Sequence, residues 1–423
     1  MPFLPQYAQH FVPPRENQIA TAVCKYLLLP FYLKMEGTKV RTSSETLEFL
    51  HQLRDVPTVI VPNHSDRYDP LVVFTLSKIS KEDFFYAAAR ETFDEDSGWR
   101  GALFQNIGAY SVIRGAHDLT YVHATVDLIL TKRRKVVMFA EGEVTGRDGY
   151  IQPLKKDGLG CVFLAQRALA KAANGKPPES VFILPLSIYY QVNPEAEELL
   201  SQALGRMEKE LGLQSSTASP EDRVNAIALA IVSGLETYYG LPGDSDLPFL
   251  MRVKLLTRHF CAALSEFTGQ DLNWSKSETS VLHTVAASLR EPLWAKKLKQ
   301  TPYGKQLQGR AGRRSESLRE DFDRIQRLMV IANSIQESLT LETLWRLVDC
   351  LEQEVLGATS WKGRRTAWVE AAEPINLQQY WAAYQADRDA ALQQVSELVQ
   401  NSIQKRLHKM KERTQQYDRV EFA

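Results

Sequence analysis

The sequence predicts an α/β fold: a mixed, largely parallel sheet flanked by helices, followed by an all-α C-terminal region. Three observations predict it. Five short runs rich in β-branched or aromatic residues recur over residues 58–190, most of them closed by Pro, Gly or polar residues. Helical patterns separate them, and the runs are largely apolar, which suits strands buried on both faces of a sheet. Past Gly240–Pro248, which reads G-L-P-G-D-S-D-L-P, strand signals stop and amphipathic helical patterns continue alone.

The 423 residues are 44% hydrophobic and 24% charged, ordinary values for a globular protein with a sizeable core. Lys plus Arg number 51 and Asp plus Glu number 51, so no global basic field points to nucleic acid. Cys24, Cys161, Cys261 and Cys350 lie far apart with no C-x-x-C pair, the pattern of reduced thiols in a cytoplasmic protein. Three prolines among the first thirteen residues, and no apolar core segment there, argue against a cleavable signal peptide. No apolar run reaches the ~20 residues that a membrane-spanning helix needs. The nearest, Ile19–Leu33, is interrupted by Lys25 and Pro30 and flanked by Arg15 and Lys34. Such a segment suits the membrane interface, and equally suits a helix packed on its own domain. The expected organisation is an N-terminal apolar, interfacial segment at 1–40, an α/β domain at 41–243 and a helical domain at 249–423.

Taken in order, Ser43–Arg54 reads as a helix, with a serine N-cap and Leu47, Leu50 and Leu53 on one face. Thr58–Val61 is a buried strand between Pro57 and Pro62. It runs into N-H-S-D-R-Y-D, and a helix opens at Pro70. His64 and Asp69 therefore sit on the link between a strand and a helix start. A rigid strand aims side chains there, and an imidazole backed by a carboxylate has a fixed tautomer and raised basicity. A metal held by His64, Asp66 and Asp69 is the alternative, but no second cluster at ligand spacing supports it, and no metal is expected. Phe84–Ala89 is a second strand. Tyr110–Ile113 is a third and delivers Arg114, suited to bidentate phosphate pairing or to a surface salt bridge. Leu119–Lys132 is helical and ends in the basic run Lys132–Lys135, expected as a solvated helix C-terminus.

Val136–Ala140 is another strand, leading into E-G-E-V-T-G-R, residues 141–147. Glycine lets backbone approach a ligand closely, and Arg147, Lys155 and Lys156 add positive charge. The plain alternative is a glycine turn with a helix-capping Glu. Asp157–Ala173 is helical. Val181–Tyr190 is a long strand holding Pro185, which lacks a ladder donor, so this strand should lie at an edge, be bulged or be broken there. The C-terminal helical patterns are Phe249–Thr268, Thr279–Leu289, Ser317–Leu339, Leu341–Leu356 and Gln378–Arg413, with Arg310–Arg319 read as a solvated loop and helix start.

Four blocks in this order resemble the glycerolipid acyltransferase superfamily, which holds glycerol-3-phosphate and 1-acylglycerol-3-phosphate acyltransferases. Asn63, His64 and Asp69 match its first block; Gly108, Val112 and Arg114 the second; Phe139, Glu141, Gly142, Thr145 and Arg147 the third; Ile183, Leu184 and Pro185 the fourth. The resemblance covers about residues 40–240. Ala140 stands where the family usually has Pro, and Glu143 adds a carboxylate beside the expected anion site.

The resemblance implies acyl transfer from a thioester to a hydroxyl of a glycerol phosphate-type lipid, as in phospholipid biosynthesis. Its donor is acyl-coenzyme A or acyl carrier protein, a co-substrate, with no bound cofactor. His64, oriented by Asp69, is then the base, and no G-x-S-x-G nucleophile is apparent, so transfer is direct. Arg114, Arg147 and Lys155, with Glu141, Gly142 and Thr145 around them, form the acceptor and phosphate site. Backbone N–H groups near Gly142 or at the helix after His64 are the expected oxyanion donors. The expected partners are the lipid acceptor, the acyl donor and a membrane surface, with no nucleic acid, for a cytoplasmic protein peripherally bound to the membrane. Another lipid acceptor, a thioesterase and a non-catalytic scaffold of the same fold are the competing readings.

Overall fold

A computed structural model describes residues 11–93, 98–113, 119–174, 178–214, 218–243, 246–275, 278–287, 301–335 and 339–420. The chain enters through α1 (Gln18–Val23), a π-turn at Cys24–Leu28 and α2 (Leu29–Met35). Pro30 cannot donate the N–H that an α-helix would give to Tyr26, and the helix widens just before it. Then follow β1 (Thr38–Thr42), α3 (Ser44–Gln52), β2 (Thr58–Pro62), α4 (Asp69–Ile79), β3 (Phe84–Ala89), α5 (Trp99–Asn106), β4 (Ala109–Val112), α6 (Leu119–Leu130) and β5 (Lys135–Val137). Next come α7 (Lys156–Ala172), β6 (Phe182–Val192), α8 (Ala196–Glu210), α9 (Pro220–Tyr238), α10 (Phe249–Thr268), α11 (Glu278–Ala287), α12 (Pro302–Ser334) and α13 (Leu341–Val355). The chain closes with β7 (Arg365–Ala371), β8 (Ile375–Asn376), α14 (Trp381–Ala386) and α15 (Arg388–Val420).

The strands form one sheet in the order β1-β7-β6-β2-β5-β3-β4, with β8 beside β6. From β6 to β4 all neighbours are parallel; β7 and β8 run antiparallel to β6, and β1 pairs parallel to β7. The period-2 alternation of β2 sorts its side chains. Val59 and Val61 pack with Val162 and Phe163 of α7 and Val399 and Ile403 of α15; Ile60 packs on the other face with Leu50 of α3 and Val72 and Leu76 of α4. The sheet is thus covered on both faces, as the apolar strands require. A third core joins α8, α9, α10, α11, α12 and α13.

The region after Gly240–Pro248 is mainly helical, as expected, yet it also supplies β7 and β8, and α15 covers one sheet face. Residues 365–371, R-T-A-W-V-E-A, do carry a strand signal, aromatic and β-branched residues in a seven-residue run before Pro374. Pro185 also departs from expectation. Strand β6 runs unbroken between β2 and β7, with Pro185 opposite Val61. The gap falls in the neighbour instead: β7 ends at Ala371, opposite Leu186, and β8 resumes at Ile375, opposite Ile183. The missing N–H of Pro185 faces this interruption. The basic run Lys132–Lys135 is not simply solvated. Lys132 pairs with Glu179, Arg134 with Glu16 and Asp83, and Lys135 with Glu82, the last two cations being buried. Arg310–Arg319 lies inside α12 rather than in a loop.

The N-terminal helices are two-sided. Cys24, Lys25, Leu29 and Leu33 face inward, and the Lys25 ammonium is held by Asp83 at 2.5 Å and the Glu82 carbonyl at 2.7 Å. Ile19, Leu27, Phe31 and Met35 face outward at 78, 66, 66 and 60% exposure, joined by Val23, Tyr26 and Leu28 in one stripe at helical spacing. Among the described residues, no helix is long and apolar enough to cross a membrane.

Candidate active site

The site lies where β2 and β5 end, side by side and parallel, so both following loops leave the same sheet edge. Strand β2 stops at Pro62, but its pairing continues through a side chain. The Asn63 amide donates to the Ile188 carbonyl at 3.1 Å and accepts the Ile188 N–H at 2.7 Å. The fully buried Asn63 therefore fixes the direction in which the chain leaves the sheet, and His64 is next.

His64 and Asp69 meet. Nδ1 of His64 lies 3.0 Å from Oδ2 of Asp69, leaving Nε2 as the ring nitrogen available to a reacting hydroxyl. The imidazole is 14% exposed and packs beside the Phe139 ring at 4.3 Å between centroids, while the Asp69 side chain is fully buried. Asp69 also accepts the Asp66 N–H on Oδ2 and the Tyr190 hydroxyl on Oδ1, each at 2.8 Å. Burial pushes the Asp69 carboxyl up, and its hydrogen bond and charge interaction with His64 pull the other way.

The loop after β5 braces this pair from behind. Glu141, expected at the acceptor, instead accepts the His64 N–H on Oε1 at 2.5 Å and the Gln152 N–H on Oε2 at 2.8 Å. Burial raises its carboxyl to about 7 despite those two donors. Thr145 is turned inward too: its N–H and hydroxyl both donate to the His64 carbonyl, at 2.8 and 3.1 Å. Gly142 has φ +77°, and a Cβ there would lie 2.7 Å from Nζ of Lys155, whose chain crosses over it. The Gly142 N–H donates to the Phe139 carbonyl at 3.0 Å, and the N–H groups of Asp66, Tyr68 and Asp69 are likewise used within their loop. These expected oxyanion donors are engaged. Arg147 stacks on the Tyr150 ring at 4.0 Å, two residues from Thr145. Arg114 lies outside the described residues.

The alternative metal set does not fit. Asp66 Oδ1 accepts the Tyr68 N–H at 2.9 Å and its Oδ2 pairs with Arg365 at 2.7 Å; both oxygens of Asp69 are engaged as given above. Among the described residues no group of His, Cys, Asp and Glu is arranged to hold a metal ion.

Sequence reading missed the residues that reach this loop from the C-terminal region. Arg346 of α13 donates to the Gly146 carbonyl at 2.9 Å and to Asp148 at 2.6 Å, Ser334 of α12 donates to the same carbonyl at 2.8 Å, and Arg365 of β7 pairs with Asp66. Arg346 carries one signal: a cation in the strongly amphipathic stretch Leu341–Val355, with apolar residues on both sides.

Residues 41–189 match the family model described as Acyltransferase. No individually curated protein matches the chain. The matched segment spans β1 to β6 and contains His64, Asp69, Glu141, Thr145 and Arg147. This segment is therefore similar to the acyltransferase domain of the glycerolipid acyltransferase family, which supports a general role in acyl transfer.

Proposed function

We propose that the protein moves a fatty acyl group from a thioester to a free hydroxyl of a glycerol phosphate-type lipid, 1-acylglycerol-3-phosphate or glycerol-3-phosphate. The observation that carries this is the 3.0 Å contact of His64 Nδ1 with Asp69 at the end of β2, inside the acyltransferase segment. Nε2 of His64 takes the proton of the acceptor hydroxyl as its oxygen attacks the thioester carbonyl. The thiolate of coenzyme A or acyl carrier protein leaves as the ester forms, and the imidazolium returns the proton. Asp69, held by Tyr190 and the Asp66 N–H, keeps the imidazole in the tautomer that leaves Nε2 open. Arg147 and Lys155, together with Arg114, hold the acceptor phosphate. The reading extends to the membrane: the stripe Ile19, Tyr26, Leu27, Phe31 and Met35 rests in the lipid interface and brings the site to its oily substrates, as a peripheral cytoplasmic enzyme.

Purified protein assayed with acyl-coenzyme A or acyl carrier protein, against glycerol-3-phosphate, 1-acylglycerol-3-phosphate and other lysophospholipids, tests this. Turnover should appear with a phosphate-bearing acceptor, and His64→Ala should lower it by about 10²–10⁴-fold in a protein that stays folded. Activity within a few-fold of wild type in that variant ends the proposal. Thiol release independent of any acceptor makes the protein a thioesterase instead.

A further inference from the structure

We propose that Arg365 is a positioning residue for the His64–Asp69 pair, acting through Asp66 and Tyr190, so that the region beyond the acyltransferase segment completes the reactive site. This rests on the reading of His64 as the base. Asp69 has two hydrogen-bond donors besides His64, the Asp66 N–H and the Tyr190 hydroxyl, and Arg365 touches both donor residues. Its Nη1 donates to Asp66 Oδ2 at 2.7 Å, and its guanidinium lies 4.4 Å from the centre of the Tyr190 ring. Nε donates to Thr38 at 3.0 Å, and the faces of Trp345 at 3.8 Å and Tyr68 at 5.0 Å close the cage. The fork and the three rings leave the guanidinium one orientation, which Lys has no means of reproducing.

The charges demand such a partner. Asp66, in the loop after β2, and Asp69, the first residue of α4, are both buried, three residues apart. Facing them are His64 and Arg67 from the loop after β2, Glu141 from the loop after β5, Tyr190 of β6, Arg346 of α13 and Arg365 of β7. Arg346 stands 3.9 Å from Asp66 and is drawn away by Asp148 at 2.6 Å, while Asp349 of α13, near Arg365, is itself paired with Lys362 and Arg67, each at 2.9 Å. Arg365 is therefore the close compensation for Asp66. Without it, the uncompensated Asp66 charge favours a proton on the neighbouring pair, whether imidazole or carboxylate takes it. Either way the base form is reached at higher pH.

The test measures kcat, acceptor KM and the acidic limb of kcat/KM with acyl-coenzyme A and 1-acylglycerol-3-phosphate, in Arg365→Met, Arg365→Lys and the double variant Asp66→Asn/Arg365→Met. The double variant leaves no unpaired buried carboxylate at position 66, so it covers the case in which the single variant fails to fold. Arg365→Met should lower kcat by about 10- to 100-fold with KM within a few-fold, and move the acidic limb up by about one pH unit. Arg365→Lys should keep the limb and recover only part of kcat. The double variant should return the limb to its wild-type position while kcat stays at least tenfold down. Values of kcat and limb position near wild type in whichever Met variant folds overturn the proposal. An active His64→Ala protein overturns the reading of the base itself, so the two failures are distinguishable.

Discussion

Glu141 holds His64 by its backbone: Oε1 accepts the His64 N–H at 2.5 Å, and the second oxygen accepts the Gln152 N–H at 2.8 Å. The carboxylate bridges the loop after β2 to the chain beyond its own turn, and Thr145 closes the same contact from the other side by donating twice to the His64 carbonyl. In a site of this kind the acid of a Glu-Gly turn is easily read as a ligand for the acceptor. Its partners say that it fixes the residue carrying the base.

Glu141→Gln separates the two roles. The amide keeps one acceptor oxygen and turns an NH₂ toward a backbone N–H that needs an acceptor. At pH 6 this should cost about 1–3 kcal/mol of stability, the usual effect of a buried donor left unsatisfied. Turnover should fall through looser placement of His64, with acceptor KM little changed. A raised KM with unchanged stability, read by denaturant unfolding and steady-state kinetics, would show Glu141 holding the acceptor.

The pH dependence of that difference follows from burial. Glu141 is raised from its ordinary 4.5 to about 7, with desolvation the largest cause. Between those values the folded protein holds a proton that the unfolded chain has released. Its contribution is fully present below about pH 4.5 and is lost as pH rises through 7, by about 3 kcal/mol in all. Glu141→Gln has no such proton, so its stability deficit should be largest at acid pH and narrow upward. A deficit that widens from pH 5 to 8 would mean that the two N–H donors outweigh burial and keep the carboxylate ionised.

Asn63 carries strand pairing past the end of β2. Asn63→Ala leaves both the N–H and the carbonyl of Ile188 without their side-chain partner in a fully buried setting. The expected cost is about 2–4 kcal/mol, visible as a lower denaturant midpoint at unchanged slope, with kcat reduced because His64 follows directly. A loss below about 0.5 kcal/mol would mean that other contacts already fix this loop.

Gly146 sits where α12 meets the loop after β5. With φ +70°, a Cβ there would lie 2.4 Å from Cγ1 of Val330 and 3.0 Å from the Ser334 hydroxyl. Gly146→Ala therefore combines backbone strain with overlap, and should cost about 2–4 kcal/mol. Val330→Ala in that background should return part of the loss by clearing the overlap, although alone it destabilises. If the double variant is simply additive, the Gly146–Val330 contact is not the seat of the effect.

Local patterns carried far and long-range pairing did not. The His64–Asp69 meeting was legible because a proline-bounded apolar strand followed by a helix start fixes both residues on one short link. The same logic found Glu141 and Thr145 but misjudged where they point, since spacing does not tell whether a side chain faces a ligand or the backbone behind it. Arg365 was invisible for a different reason. Its partner Asp66 is 299 residues away, and an Arg at a strand start surrounded by helical patterns looks like solvated charge. Pro185 shows the limit of a single-strand rule: its missing donor was accommodated by a gap in the neighbouring chain, which the sequence around residue 185 does not contain.

The outward stripe of α1 and α2 yields the last prediction. Deleting residues 1–38 is a poor probe of it, because the cut removes Cys24, Lys25, Leu29 and Leu33 from the core and the ion pair of Lys25 with Asp83. Leu27 and Phe31 are the better positions: both are about two-thirds exposed and lie one turn apart on the outer face. Leu27→Asp/Phe31→Asp adds two charges that stay in water in the folded protein, so stability should shift by less than about 1 kcal/mol. An apolar face resting in the lipid interface would have to bury those charges. Flotation with liposomes of phosphatidylcholine and phosphatidylglycerol should therefore be lost in the double variant and kept in Leu27→Ile/Phe31→Leu. Turnover of a micellar acceptor should persist in both. Equal flotation of wild type and the Asp variant, or failure of wild type to float, would assign the stripe to some other contact.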